Sequence, residues 1–281
     1  IENEIKHDVK AVEYFIGIKL EELKLQKFKS FIHFGLTSQD INNTALTLSI
    51  RDFIKKYLLN YINWIQSRLQ EKSNQWKYLI MLGHTHGQPA VPTTLGKELN
   101  VFNHRISKPL RDLYAKEYYG KIGGATGNLN AHYAAYPTIK WDDKMRDFLK
   151  KFELIRDPIT TQIDNYENLT DCFDAIKRIN SVLIDLNRDI WSYISMNYLK
   201  QKVVKDEVGS STMPHKINPI NFENSEGNLM MANALLEFMS AKLPISRLQR
   251  DLTDSTVVRS IGTIFGHIVI AYDNLLTGLD K

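Results

Sequence analysis

Apolar residues recur at three- and four-residue spacing over very long stretches of this chain, and alternating runs bounded by hairpin turns are almost absent. A first helix is predicted to start at Thr37 or Ser38, either of which is a good N-cap, and to continue through Ile41, Ala45, Leu48, Ile54, Leu58, Tyr61, Ile65 and Leu69. That pattern exceeds about 30 residues, or roughly 45 Å of helix. A second stripe is Leu95, Leu99, Phe102, Ile106, Leu110 and Leu113; it carries Pro109, which should kink the helix unless it is already bent there. A third runs through Leu169, Phe173, Ile176, Leu183, Leu186, Ile190 and Ile194. Helices of such length imply an all-α fold, a long bundle whose members pack on one another and on copies of themselves.

Between the helices lie segments that break the period: KSFIHFGLTSQD, MLGHTHGQPAVPTT, GKIGGATGNLNAH, DPITTQ and KDEVGSSTMPHKINP. Loops rich in Gly, Ser, Thr, His and Asn expose hydroxyls and backbone N–H groups that rigid helices hold in place, so the chemistry is expected there. Composition narrows the picture further. The 281 residues are 43% hydrophobic and 24% charged, a globular mixture large enough to need neither disulfides nor metals as staples. The single cysteine, Cys172, suits a reducing cytoplasmic setting. No apolar stretch is expected to approach the roughly 20 residues of a membrane span, and the start, IENEIKHDVK, is too charged for a secretory segment. An excess of 36 Lys+Arg over 32 Asp+Glu gives a net charge of +4, which suits an anionic partner. It is spread thinly, without a basic cluster or recognition motif, so neither nucleic acid nor membrane is the expected partner.

The densest chemistry is at Gly209–Asn218, GSSTMPHKIN. A Gly-Ser-Ser turn alone is an ordinary loop or cap. Here two hydroxyls, Lys216 and Asn218 sit close together and are followed by Pro219, which can open the next helix. Such a loop can surround a carboxylate, the lysine supplying charge and the amide and N–H groups directed hydrogen bonds. In HTHGQP, His84 and His86 form an HxH pair with no third ligand at a recognised spacing, so no metal or cofactor is expected; an ordinary structural histidine is the plain alternative. Thr37 and Ser38 are expected to act both as a cap and, with the helix N–H groups behind them, as an anion site. Near the end, RLQRDLTDSTVVR places Arg247, Arg250, Ser255 and Arg259 close together. Guanidinium groups with a hydroxyl suit a phosphate clamp; the alternative is a helix start with Asp251 and Asp254 paired to the arginines on a solvated face.

The GSSTMPHKIN loop resembles, almost letter for letter, the signature loop of the fumarase/aspartase superfamily, and its continuation NPINFENSEGN resembles the adenylosuccinate lyase branch. HDVKAVEYF, FIHFGLTSQDINNTA, HTHGQPAVPTTLGKE, GKIGGATGN to AHYAAYP, PITTQI and LPISRLQRDLTDSTVVR resemble that branch's blocks in the same order. The resemblance implies a three-domain subunit in a homotetramer, with each active site drawn from three chains. Residues 1–30 would be a remnant of the N-terminal helical domain, 31–262 the central bundle, and 263–281 the end of the bundle leading to a C-terminal domain mostly absent here; the branch's N-terminal Arg-Tyr nucleotide contact would be missing as well.

It further implies release of fumarate by acid/base β-elimination from adenylosuccinate, giving AMP, and from the succinyl-aminoimidazole carboxamide nucleotide. In that scheme Ser210 is the base, His86 the acid, and Lys216 and Asn218 hold the substrate carboxylate. Lys6, His7 and Asp8 lie at the nucleotide, with His33 near the substrate. Thr85 and Gln162 meet the succinyl carboxylates and the base or amide, and Arg250, Ser255 and Arg259 contact the nucleotide. One departure is His84, where related sequences commonly carry Arg. Two other readings stay open: a different fumarate-releasing lyase acting on another amino or hydroxy diacid, and a non-catalytic helical scaffold.

Overall fold

The computed structural model describes residues 1–202, 213 and 217–281. The chain forms two compact units, each assembled from three separate segments. One comprises Ile1–Phe53, Glu117–Leu169 and Leu243–Asp254; the other comprises Ile54–Lys116, Thr170–Lys242 and Ser255–Lys281.

The elements in chain order are α1 (Glu2–Ile5), α2 (Asp8–Glu22), α3 (Ser38–Phe53), α4 (Leu59–Gln75), β1 (Ile80–Thr85), β2 (Gln88–Thr94), α5 (Leu95–Tyr114), β3 (Tyr119–Gly120), α6 (Asn130–Ala135), α7 (Trp141–Lys150), β4 (Ile155–Arg156), α8 (Glu167–Ser195), α9 (Ile220–Lys242), α10 (Thr253–Val258) and α11 (Ile261–Asp280). The long first helix expected from periodicity is present from Ser38 to Gln75. It contains a π-helical turn at Ile54–Leu58, where one unit gives way to the other.

The second unit is built as its apolar stripes dictate. On α4, Ile62, Ile65 and Leu69 are fully buried, and the α5 stripe Leu95, Leu99, Phe102, Ile106, Leu110 and Leu113 packs against this helix. Each such side chain contributes roughly 1.5–3 kcal/mol through removal from water. α5 starts on the Thr94 cap, whose hydroxyl accepts from Lys97 N–H at 3.3 Å, and continues through Pro109. On α8, Phe173, Ile176, Leu183 and Leu186 are fully buried, whereas Ile194 lies half-exposed near the helix end.

α11 lies along α9 and buries Ile264, Ile268, Ala271, Tyr272, Leu275 and Leu279. One expectation is corrected here. Within the 28-residue helical stretch Thr253–Asp280 an 18-residue window reaches a mean hydropathy of 1.2, so the stretch does pass the length and composition test for a membrane span. Interruptions such as Thr263, His267 and Asn274 hide it from a search for unbroken apolar runs. Polar side chains also tie α11 to its neighbours: Tyr272 OH donates to Asn180 Oδ1 at 2.8 Å, and Asn221 Nδ2 donates to Asn274 Oδ1 at 3.0 Å.

The first unit departs from the pattern. Periodicity placed Ile41, Ala45 and Leu48 in the core, yet Ile41 and Ala45 are exposed and Leu48 is half-buried. α3 instead buries Gln39, Asp40, Asn43, Thr44 and Thr47, joined by Ile50 only toward its end. A helix with a buried polar face must have its partners supplied by the surrounding chain. They come from the segments after β3 and β4, two short strands paired in parallel as Tyr119↔Ile155 and Gly120↔Arg156.

Candidate active site

The start of α3 is fixed by a carboxylate. Asp40, three residues after Thr37, accepts from Thr37 N–H at 2.8 Å, so the acid at the third helical position satisfies the backbone of the cap residue. The same carboxylate accepts from Gly123 N–H at 2.9 Å, from Gly124 N–H at 3.1 Å and from the Lys121 ammonium at 2.6 Å. Lys121 is completely buried, and its Nζ also donates to Gly124 O at 3.2 Å. Burial pushes the Lys121 pKa down, and Asp40 opposes that shift. The turn carrying Thr37 and Ser38 is thereby clamped to the GKIGGATGN segment.

A third segment joins them. Gln162 donates from Nε2 to Ala125 O at 2.9 Å and accepts at Oε1 from Arg250 Nη1 at 3.3 Å, while its backbone N–H donates to Gln249 O at 3.2 Å. Gly127 makes the close approach possible. A Cβ at that position would lie 2.0 Å from Thr160 O, and φ there is +86°. The first unit thus links the segments that carry Thr37, Ser38, Gln162 and Arg250 through hydrogen bonds.

At the N-terminal side, His7 caps α2, its Nδ1 accepting from Lys10 N–H at 3.3 Å, while Lys6 holds a left-handed backbone conformation at φ 54°. Asp8 accepts from Val9 N–H at 2.7 Å, and all three side chains are exposed. His33 pairs through Nδ1 with Glu13 at 2.9 Å. Its Nε2 is buried without a hydrogen-bond partner among the described residues. Glu13 has its pKa held down by Lys10 first and by His33 second.

In the second unit the segment read as a loop forms a β-hairpin. β1 and β2 pair antiparallel from Ile80↔Thr94 to Thr85↔Gln88, leaving a two-residue turn of His86 and Gly87. Both turn residues have positive φ, 54° and 70°, the type I′ pattern matching the strand twist. His86 therefore stands exposed at the hairpin tip, with Thr85 closing the ladder beneath it. His84 Nδ1–H donates to Leu82 O at 3.2 Å, and its ring lies 5.9 Å from that of Tyr198.

Ser255 is half-buried on α10, and Arg259 is exposed in the turn that follows. The solvated-face alternative holds only in part: Arg247 pairs with Asp251 at 2.9 Å, whereas Asp254 is buried and accepts from Tyr166 OH at 2.9 Å. Asn218 is half-buried just ahead of α9. Ser210 and Lys216 lie outside the described residues. Sequence reasoning missed Gln39, Asp40, Asn43 and Lys121; the only signal was the i, i+4 repetition of polar residues on α3.

Long packed helices define the class, a helical bundle of the fumarase type. The fold is similar to the crystal structure of class II fumarase from Schistosoma mansoni, with a TM-score of 0.70 over 89% of this chain and 56% of that one at 18% identity. A sequence family described as lyase matches residues 1–235, and one described as adenylosuccinate lyase C-terminal matches residues 246–281. The chain belongs to this lyase family, in its adenylosuccinate lyase branch. Across its whole length it is 55% identical to the adenylosuccinate lyase of Dictyostelium discoideum and 45% identical to that of Escherichia coli K12. It spans 62% of the length of each of these relatives.

Proposed function

We propose that the full-length protein is a cytoplasmic lyase that eliminates fumarate from adenylosuccinate, giving AMP, and from the succinyl-aminoimidazole carboxamide nucleotide. The observation that carries this reading is the cluster of Thr37, Ser38, Gln162 and Arg250 in the first unit. It joins a helix N-terminus, an amide and a guanidinium, groups suited to a substrate bearing both carboxylates and a phosphate.

In this reading Ser210 takes a proton from the carbon beside a succinyl carboxylate, whose charge Lys216 and Asn218 hold. The electron pair then forms the carbon–carbon double bond as the carbon–nitrogen bond breaks, and His86 protonates the departing nitrogen. Base and acid act from opposite faces of the substrate. An exposed imidazole at the tip of a short hairpin is well presented for this task. Lys6, His7 and Asp8 meet the nucleotide, His33 and Thr85 the succinyl end, and Ser255 and Arg259 join Arg250 at the phosphate.

The working form in this proposal is a homotetramer with shared sites. Half-exposed Met230, Met231 and Phe238 on α9 and Ile270 on α11 support it, because a lone subunit gains nothing from leaving such side chains in water. Residues 1–30 are read as part of an N-terminal domain, 31–262 as the central bundle and 263–281 as the passage to a C-terminal domain.

Substrate identity is tested by following fumarate formation from adenylosuccinate and from argininosuccinate separately. Turnover of the first is expected, and turnover of the second alone would overturn the assignment.

A further inference from the structure

Gln39 is 3% exposed and lies one residue beyond Ser38 in the first turn of α3. A guanidinium has donors only, so the Gln39 amide atom facing Arg250 is its oxygen. In that orientation Oε1 accepts from both Nη1 and Nη2 of Arg250 at 2.9 Å, and Nε2 donates to Asn43 Oδ1 at 3.1 Å. Asn43, one helical turn on, donates to Tyr166 OH at 2.7 Å, and Tyr166 in turn donates to Asp254 at 2.9 Å. The i, i+4 pair Gln39 and Asn43 therefore holds both ends of the Arg250–Asp254 segment, one directly and one through a tyrosine.

Buried polar chains of this kind have a cost in stability and repay it in geometric definition, since each member has one orientation that satisfies its neighbours. Gln39 presents no charge to the guanidinium, so it fixes the plane of Arg250 without itself cancelling the positive charge. A carboxylate at this position would orient the group equally well and cancel the charge.

We propose that Gln39 is a positioning residue for phosphate recognition, acting by orienting Arg250 without neutralising it. This rests on the reading of Arg250 as a nucleotide contact.

The test is the affinity of the full-length protein for AMP and for adenosine, measured by calorimetry on the wild type, Gln39→Glu and Gln39→Met. Both variants are expected to bind AMP about tenfold more weakly, the size of one charge-assisted hydrogen bond, and to bind adenosine within about twofold of wild type. In turnover the loss should fall on KM, with kcat nearly unchanged. Equal weakening of both ligands, or of neither, would overturn the proposal. Should Gln39→Met fail to fold, the isosteric Gln39→Glu decides alone. A wild type that binds AMP but releases no fumarate would sink the lyase reading and leave the role of Gln39 standing.

Discussion

Burial pushes the Asp164 carboxyl from 3.8 up to about 6, with the charge of Asp157 adding to the effect. A raised carboxyl pKa means that the folded state prefers the proton. Its stabilising effect is complete below pH about 3.8 and is lost as pH rises to about 6, a change of about 3 kcal/mol. Asp164→Asn removes this dependence. Thermal melts should show the variant gaining on wild type between pH 4 and 6 and keeping its advantage above; a constant difference across that range would contradict the account. Arg250 was singled out beforehand because its guanidinium-rich segment stands out in the sequence, whereas Gln162 was named only through the resemblance of PITTQI to a family block. Gln39 and Asn43 were not singled out, because polar residues on a helix look like a solvated face until the surrounding chain is known to cover them.

The hairpin at Ile80–Thr94 was read as a loop because three of its residues, Pro89, Pro92 and Gly83, are poor strand formers. As a lone two-stranded ribbon it needs no inner strand position, and β1 carries an irregularity between Leu82 and His84. α5 and α8 were legible along nearly their whole length because apolar partners bury one stripe. The first turns of α3 were misread for the opposite reason, since their partners are a lysine, two glycine N–H groups and an arginine. The contact between the GGATGN and DPITTQ segments depends on Gly127. Gly127→Ala should cost about 3 kcal/mol or more, from the positive φ together with the overlap on Thr160 O, and should lower the melting temperature and the affinity for substrate together. A melt indistinguishable from wild type would show that this approach can relax.

Across the chain, the all-α character and the colinear blocks were readable from residue order alone, whereas the interleaving of two compact units was not. No local signal marks it: each unit gathers segments far apart in sequence, and the single helical run from Ser38 to Gln75 enters both. The tetramer proposed from the exposed faces of α9 and α11 predicts a mass near four subunits by light scattering, and charged substitutions at Met231 and Ile270 should lower it.

The central claim is that the imidazole of His86 donates the proton that releases the amine. His86→Asn separates that chemistry from the fold, because asparagine tolerates the positive φ this turn requires and keeps the hairpin. Fumarate release from adenylosuccinate by the full-length variant should fall by about 10²- to 10⁴-fold with the helical circular dichroism unchanged. Turnover at the wild-type rate would contradict the account.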